Sequence, residues 1–168
     1  MKYLCVHETN VTRTNTPQLN AVNRYHKEKW NMISSLGWYV AYNEFVDIDG
    51  KRTKTRKFGE ETMAQKGFNC DVLKRCTTYS VCFALNGSTQ TFNEAQTRSW
   101  KEIVAEYPKS EITLHRNLQP NRTCPGKLIT VDYLKGLLLP KEDQDKKQIE
   151  NLIKYRDILM GILRLLRK

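Results

Sequence analysis

Short apolar runs of β type alternate with segments of helical periodicity along this chain, and this alternation most constrains its fold. Tyr3–Val6, Thr78–Leu85 and Ile112–Leu114 are rich in apolar and β-branched residues and predict buried strands. Apolar side chains recur at helical spacing over Pro17–Ile33 and Asn93–Tyr107, which predicts two helices. Strands interleaved with helices predict an α/β fold: a single domain with a central mixed β-sheet flanked by helices.

A hairpin is predicted between the first helix and the central strand. Trp38–Tyr42 and Phe45–Ile48 read as strands, and Lys51–Lys57 returns as the partner of the second. Asp49-Gly50 between them is the signature of a type I′ turn, which needs positive φ at both central residues.

The last segment, Lys141–Lys168, differs in kind from the rest. It predicts an extra C-terminal amphipathic helix, which Arg156, Arg164, Arg167 and Lys168 keep basic, and we divide the chain into residues 1–139 and 140–168 on this ground. Three interpretations of the helix stay open: packing on the domain, docking on an anionic membrane or lipopolysaccharide, and self-association. We expect the protein to be a monomer.

The positive net charge of the chain favours negatively charged partners. The 168 residues suit one domain, and 28 Lys and Arg against 18 Asp and Glu give a net charge of +10, which favours a polyanion such as nucleic acid, an anionic membrane or a cell-wall polymer. The basic run Lys51–Lys57 motivates a nucleic-acid-binding module as one alternative. No recognised nucleic-acid-binding motif accompanies the run, so we expect no specific nucleic acid partner.

Histidine and cysteine are the residues most able to carry chemistry here. His7 and His115 end predicted strands, where sites in α/β proteins are usually built, and Cys124 lies in a loop stiffened by two prolines. Two histidines and a cysteine can form a three-ligand zinc (Zn²⁺) set that leaves the fourth position for water. The alternative is that the strand-end histidines are hydrogen-bonded structural residues, as we expect of His26 in the middle of the first helix.

The five cysteines do not change this view. Their number is odd and none forms a CxxC pair, which argues against a disulfide framework and against a zinc knuckle. Most are therefore expected to be buried thiols.

A specific resemblance emerges from a series of short motifs in one consistent order between about Tyr3 and Tyr133. They are Val6-His7, Tyr25–Glu28, Gly37-Trp38 leading to Tyr42, Asp49-Gly50, Lys66–Asn69, Val81-Cys82, Glu94–Gln96, His115-Arg116 and Arg122–Gly126. In this order the chain resembles the type 2 N-acetylmuramoyl-L-alanine amidases, above all the small phage endolysins, with peptidoglycan recognition proteins as distant relatives.

The resemblance implies a reaction and a set of site residues. It implies that residues 1–139 form a zinc amidase domain that hydrolyses the amide between N-acetylmuramic acid and L-alanine in peptidoglycan, with His7, His115 and Cys124 as zinc ligands. Tyr42 would assist proton transfer, with Tyr39 as the competing alignment, and Arg122 would contact the developing oxyanion. The structural alternatives are that Tyr42 packs in the sheet and that Arg122 solvates a loop.

The chain also departs from the family pattern. Ala84 stands where some relatives use a glutamate, Ala64 where many carry a histidine, and Arg122 where lysine is common. A catalytically weak or inactive peptidoglycan-binding protein of the same fold therefore stays as the main alternative. Because Met1–His7 is too short and too weakly basic for a signal peptide, we expect synthesis in the host cytoplasm and action on the wall after release.

Overall fold

A single five-stranded sheet organises the protein. The computed structural model describes residues 1–12, 14–61, 64 and 77–165. The strands are β1 (Tyr3–Glu8), β2 (Glu44–Val46), β3 (Arg52–Lys54), β4 (Thr78–Phe83) and β5 (Glu111–Leu114). The helices among the described residues are α1 (Leu19–Trp30), α2 (Glu94–Glu106), α3 (His115–Leu118), α4 (Val131–Gly136) and α5 (Lys141–Leu165). The Lys66–Asn69 motif, Cys70, Cys76 and residues 166–168 lie outside the described residues.

The sheet is mixed, as predicted. Its strand order is β3-β2-β4-β1-β5, in which β2, β4, β1 and β5 pair in parallel and β3 pairs antiparallel with β2. Every residue of β4 is buried, which is typical of a central parallel strand covered on both faces. The predicted α/β class, with helices flanking a central mixed sheet, is confirmed.

Helices α1 and α2 cover opposite faces of the sheet. Cys82 packs in a cluster against which Leu19 and Val22 of α1 lie. Its neighbour Phe83 points to the other face because side chains alternate along a strand, and its ring lies 6.2 Å from that of Trp100 in α2. The core thus has two layers, one on each side of β4.

Side chains fix where the helices begin. Asn93 caps α2 and forms a capping box with Gln96, which satisfies two otherwise unpaired backbone N–H groups. At α1 the cap comes from a distant loop: the Asp47 carboxylate accepts the N–H groups of Gln18 at 2.8 Å and Leu19 at 3.1 Å. Both predicted helices are confirmed, with slightly shorter bounds than the pattern indicated.

The strand predicted over Trp38–Tyr42 is wrong. This segment is irregular because side chains, rather than a neighbouring strand, bind its backbone N–H groups. Tyr39 N–H donates to Asn23 Oδ1 at 2.7 Å, and Ala41 N–H donates to His26 Nδ1 at 3.1 Å. Polar groups of α1 thus substitute for a strand partner, and the hairpin begins only at Glu44.

The hairpin turn also differs from the prediction. Gly50 has φ +80°, but Asp49 is not among the residues with positive φ, so the turn is not of type I′. The Gly50 N–H donates to the Asp47 carbonyl at 3.1 Å, and the Asp47 N–H donates to the Lys51 carbonyl at 3.0 Å. A longer loop closed by these two bonds joins β2 to β3.

The chain divides into two units, Met1–Leu134 and Lys135–Lys168. The first unit contains the whole sheet, and the loop that carries Cys124 follows the helical turn α3. In the second unit, α5 confirms the predicted C-terminal helix over the described residues. No helix in the described part of the chain is long and apolar enough to cross a membrane. The functional division at residues 139 and 140 stays a prediction.

Candidate metal centre

Strand register brings the two predicted ligand histidines together. Val6 of β1 lies opposite Leu114 of β5 in parallel pairing, so the next residues, His7 and His115, become neighbours at the carboxyl ends of the strands. Their ring centroids lie 4.5 Å apart. The loop after α3 returns to this edge, where the Arg116 N–H donates to the Cys124 carbonyl at 2.8 Å.

His7, His115 and Cys124 form the only His, Cys, Asp or Glu cluster of three with metal-ligand spacing among the described residues. Their ligand atoms all lie within 4.8 Å of one another, and Cys124 Sγ is 3.9 Å from His7 Nδ1. A tetrahedral ion with bonds of about 2.0–2.3 Å holds its ligand atoms about 3.5 Å apart. Around such an ion the Cys124–His7 pair would need to close by about 0.4 Å, and no pair of ligand atoms by more than about 1.3 Å.

Hydrogen bonds orient both imidazoles. His115 Nε2 lies 2.9 Å from Gln119 Oε1, so this nitrogen carries the proton and Nδ1 presents a lone pair. His115 Nδ1 is buried and has no hydrogen-bond partner among the described residues. His7 Nε2 lies 3.6 Å from Cys5 Sγ, which turns the other ring nitrogen toward Cys124. The arrangement is typical of metal-binding histidines.

Burial sets the protonation of the cluster. Desolvation lowers the pKa of His115, and the nearby charge of Arg122 lowers it further, while the bond to Gln119 opposes the shift. Desolvation raises the pKa of the Cys124 thiol to about 12. His115 is therefore neutral, as a ligand must be, and Cys124 would lose its proton on binding a metal.

The donor set fits zinc. Two imidazole nitrogens and one thiolate are ligands that zinc prefers, and three protein ligands are the number found in catalytic zinc sites. The buried, unpartnered Nδ1 of His115 is the strongest sign, because an orphaned polar atom is costly unless a partner occupies its lone pair.

Tyr42 and Arg122 border the same cavity, which has a volume of about 390 Å³. The Tyr42 ring centroid lies 5.0 Å from that of His7, and burial raises the pKa of its hydroxyl well above its ordinary value. Arg122 is exposed at the rim. Tyr39 is absent from the residues that line this cavity, and its ring lies beside Lys27 instead.

Sequence reasoning missed several residues of this cavity. Glu8, Lys29 and Trp30 line it, together with Ala64, the position at which many relatives carry a histidine. Gln119 had a detectable signal, since it stands four residues after His115 and so shares one helical face with it. Glu8 had a simpler one, because it adjoins His7 in sequence.

Other residues singled out from the sequence have structural roles. His26 is buried in α1 and accepts the Ala41 N–H, as expected of a structural histidine. Ala84 is buried and offers no side-chain base. Within the basic run, Arg52 pairs with Glu44 at 2.6 Å and Arg56 donates to the Val40 carbonyl at 2.7 Å, so two of its cations hold the fold together.

The geometry thus defines a class of protein: an α/β unit with a cluster of two histidines and one cysteine at the carboxyl ends of its parallel strands. No protein-family model matches the chain, and no curated protein matches it in sequence.

Solved structures share its fold. The N-acetylmuramoyl-L-alanine amidase LysC from Clostridium intestinale URNW has a TM-score of 0.56 at 16% identity, over 82% of this chain and 84% of that one. The Ph2119 endolysin from the Thermus scotoductus MAT2119 bacteriophage Ph2119 has a TM-score of 0.57 at 18% identity, over 82% and 84%. A complex of tracheal cytotoxin with peptidoglycan recognition proteins LCa and LCx has a TM-score of 0.63 at 19% identity, over 80% and 81%. The chain thus has the fold of the amidases and peptidoglycan recognition proteins, as the sequence motifs predicted.

Proposed function

We propose that the protein is a zinc-dependent N-acetylmuramoyl-L-alanine amidase of the phage endolysin kind. The observation that carries this proposal is the buried cluster of His7, His115 and Cys124, with an unpartnered imidazole nitrogen, at the edge of an amidase-type sheet. These three side chains would hold the ion. When bound, zinc supplies Lewis acidity, which acidifies water and polarises the scissile carbonyl oxygen.

The reaction adds water across the amide. The bond between the lactyl carbonyl carbon and the L-alanine nitrogen breaks, the carbonyl carbon gains the water oxygen, and the alanine nitrogen leaves with a proton. Arg122 is an exposed cation on the lining of this cavity and can stabilise the oxyanion. Tyr42 keeps its hydroxyl proton because burial raises its pKa, so it can donate a hydrogen bond to a reacting oxygen or nitrogen.

Space for the rest of the substrate adjoins the cluster. A second cavity of about 470 Å³ shares Asn10, Trp30 and Tyr42 with the first and continues between α1 and the loop before it. Gln18 lines this second cavity, and its buried Nε2 has no hydrogen-bond partner among the described residues. An acyl or carboxylate oxygen of a muramyl peptide would satisfy that donor.

Digestion of purified peptidoglycan tests the proposal. The protein is expected to release new L-alanine amino termini, to lose this activity on chelation and to regain it with zinc. New reducing sugar ends, or activity that survives chelation, would contradict the amidase assignment. Binding of peptidoglycan without any cleavage by the zinc-loaded protein would favour the alternative, a binding protein of the same fold.

The C-terminal helix is proposed to contact an anionic lipid surface once the protein reaches the cell envelope. Its described side chains combine exposed apolar residues, such as Leu152, Ile153 and Leu159, with the exposed cations Lys154 and Arg156. Deletion of residues 141–168 should abolish binding to anionic vesicles and weaken killing of intact bacteria from outside. Unchanged external killing by a folded deletion variant would exclude this role.

A further inference from the structure

Glu8 is a buried carboxylate beside the candidate metal cluster, and it has no part in the proposed reaction. It follows His7 on β1, is 6% exposed and lines the 390 Å³ cavity. No Lys, Arg or His nitrogen within the described residues lies in ion-pair distance of it. A buried carboxylate needs other donors, because burial without them is costly.

A backbone N–H group at the end of the central strand supplies such a donor. The Gly87 N–H, just beyond the end of β4, donates to Glu8 Oε2 in a short hydrogen bond. Gly126, two residues after Cys124, packs against Gly87 at this point, since its backbone nitrogen lies 3.1 Å from where a Gly87 Cβ would stand. Glu8 thus holds the end of the central strand, against which the loop that carries the thiol ligand packs.

The two glycines allow this junction to be tight. A Cβ at Gly87 would overlap Glu8 Oε2, and a Cβ at Gly126 would overlap the Ser88 backbone nitrogen. The Leu128 N–H donates to the Gly87 carbonyl at 2.9 Å, which fastens the same contact from the other side. No side chain larger than hydrogen fits at either position without moving the loops.

Arg116 binds backbone carbonyl groups of the loop that carries Cys124. Its guanidinium donates to the Pro125 carbonyl, to the Gly126 carbonyl at 3.2 Å and to the Ile129 carbonyl at 2.8 Å. Glu8 therefore binds the Gly87 N–H, and Arg116 binds carbonyls of the segment that packs against Gly87. Cys124 immediately precedes this segment, and its Sγ lies 3.9 Å from Nδ1 of His7, the residue before Glu8.

We infer that Glu8 is a positioning residue: its carboxylate holds Gly87, against which Gly126 packs, and so fixes the Cys124 sulfur beside His7 for metal binding. This inference rests on the proposed metal site, and it concerns placement of a ligand rather than a chemical step. Residues that orient metal ligands typically contribute about 10- to 100-fold to metal affinity.

The test compares three variants with the full-length wild type. Glu8→Gln removes the charge, and Glu8→Asp keeps the charge but withdraws the carboxylate by one methylene. Glu44→Gln is the matched control. Glu44, on β2, is also a buried carboxylate, but it accepts hydrogen bonds from Arg52 and Tyr79 and lines neither cavity. Two readouts are taken: zinc affinity by competition with a chromophoric chelator, and the iodoacetamide alkylation rate of Cys124 in chelator-treated protein, mapped by peptide mass spectrometry.

Both Glu8 variants are expected to bind zinc about 10- to 100-fold more weakly and to show faster alkylation at Cys124, with Cys5 and Cys82 unchanged. Glu44→Gln should match the wild type in both readouts, even where its thermal stability falls. Wild-type values in either folded Glu8 variant would overturn the inference. An equal effect of Glu44→Gln would also overturn it, since that would mark a general loosening of the fold.

The design separates this inference from the proposed function. If the wild type binds zinc but does not cleave peptidoglycan, the amidase assignment fails and the Glu8 comparison still decides its own question. If the wild type binds no zinc, both the assignment and the metal-affinity role of Glu8 are overturned. If Glu8→Gln does not fold, Glu8→Asp decides by the same criteria.

Discussion

His26 and His115 occupy similar surroundings but differ in how their ring nitrogens are used. Both are buried, at 5% and 8% exposure, and desolvation lowers the pKa of each. His26 Nδ1 accepts the Ala41 N–H at 3.1 Å and so anchors the irregular segment beside α1. His115 Nδ1 has no hydrogen-bond partner in the described part of the chain and faces a cysteine and a second histidine.

The difference shows what separates a structural histidine from a candidate ligand. Burial and a lowered pKa are common to both, so neither identifies a metal site. The distinguishing feature is an unused lone pair, oriented by a hydrogen bond at the opposite ring nitrogen and directed at other donor atoms. The following predictions test whether this distinction holds.

The largest effect is expected from removing a ligand. His7→Ala, His115→Ala and Cys124→Ala should each lower peptidoglycan cleavage by about three orders of magnitude or more, because loss of the ion removes several kcal/mol of transition-state stabilisation. Release of L-alanine amino termini measures this. Cys82→Ala is the matched control, since it removes a buried thiol outside the donor set and should retain far more activity than Cys124→Ala.

Acid should reveal the cost of burying His26. Desolvation first, then the charges of Lys29 and Arg56, lower its pKa to about 4, against about 6.5 in the unfolded chain. The unfolded state therefore takes up a proton first, and stability falls by about 3 kcal/mol as the pH drops from 6.5 to 4. Denaturant unfolding of chelator-treated protein should show this slope, and His26→Gln should flatten it. An equal slope in His26→Gln would contradict the assignment.

Replacing a tyrosine hydroxyl should have an intermediate effect and resolve the choice between Tyr42 and Tyr39. Tyr42→Phe is expected to lower kcat by about 100-fold, the lower range for a positioned proton donor, with little change in zinc affinity. Tyr39→Phe should leave kcat unchanged, because Tyr39 lies outside the residues that line either cavity of the site. The reverse pattern would favour the competing alignment.

The smallest effect concerns the hydrogen bond that orients His115. Gln119→Ala should weaken zinc binding about tenfold, since the imidazole loses the partner that fixes its tautomer. Asn117→Ala, on the exposed side of the same helical turn, is the control and should bind zinc like the wild type. Equal affinities for the two variants would show that the bond to Gln119 has no part in orientation.

The sequence predicted the elements of the fold more reliably than their local geometry. The strand over Thr78–Phe83 and the capped helix after Asn93 follow from periodicity and turn residues that act within a few positions. The Trp38–Tyr42 segment has the composition of a strand, yet Asn23 and His26 bind its backbone from a distant helix. Such tertiary hydrogen bonds leave no local pattern in the sequence.

In the candidate site, too, some residues were predicted from the sequence and others were not. Family motifs pointed to His7, His115 and Cys124, and the structure brings these three together. The surrounding residues were not predicted: the positions of Gln119 and Glu8 relative to His115 and His7 are a signal, but their hydrogen bonds, like the contact of Cys5, are defined only by the folded chain. The role of Asp47, which caps α1 from the loop after β2, likewise follows only from the fold.

Native mass spectrometry of the purified protein tests the central claim most directly. Wild type and His26→Gln are each expected to carry one zinc ion per chain, and His115→Ala is expected to carry none under the same loading conditions. Zinc retained by His115→Ala, or absent from the wild type, would contradict the account of this cluster as a metal centre.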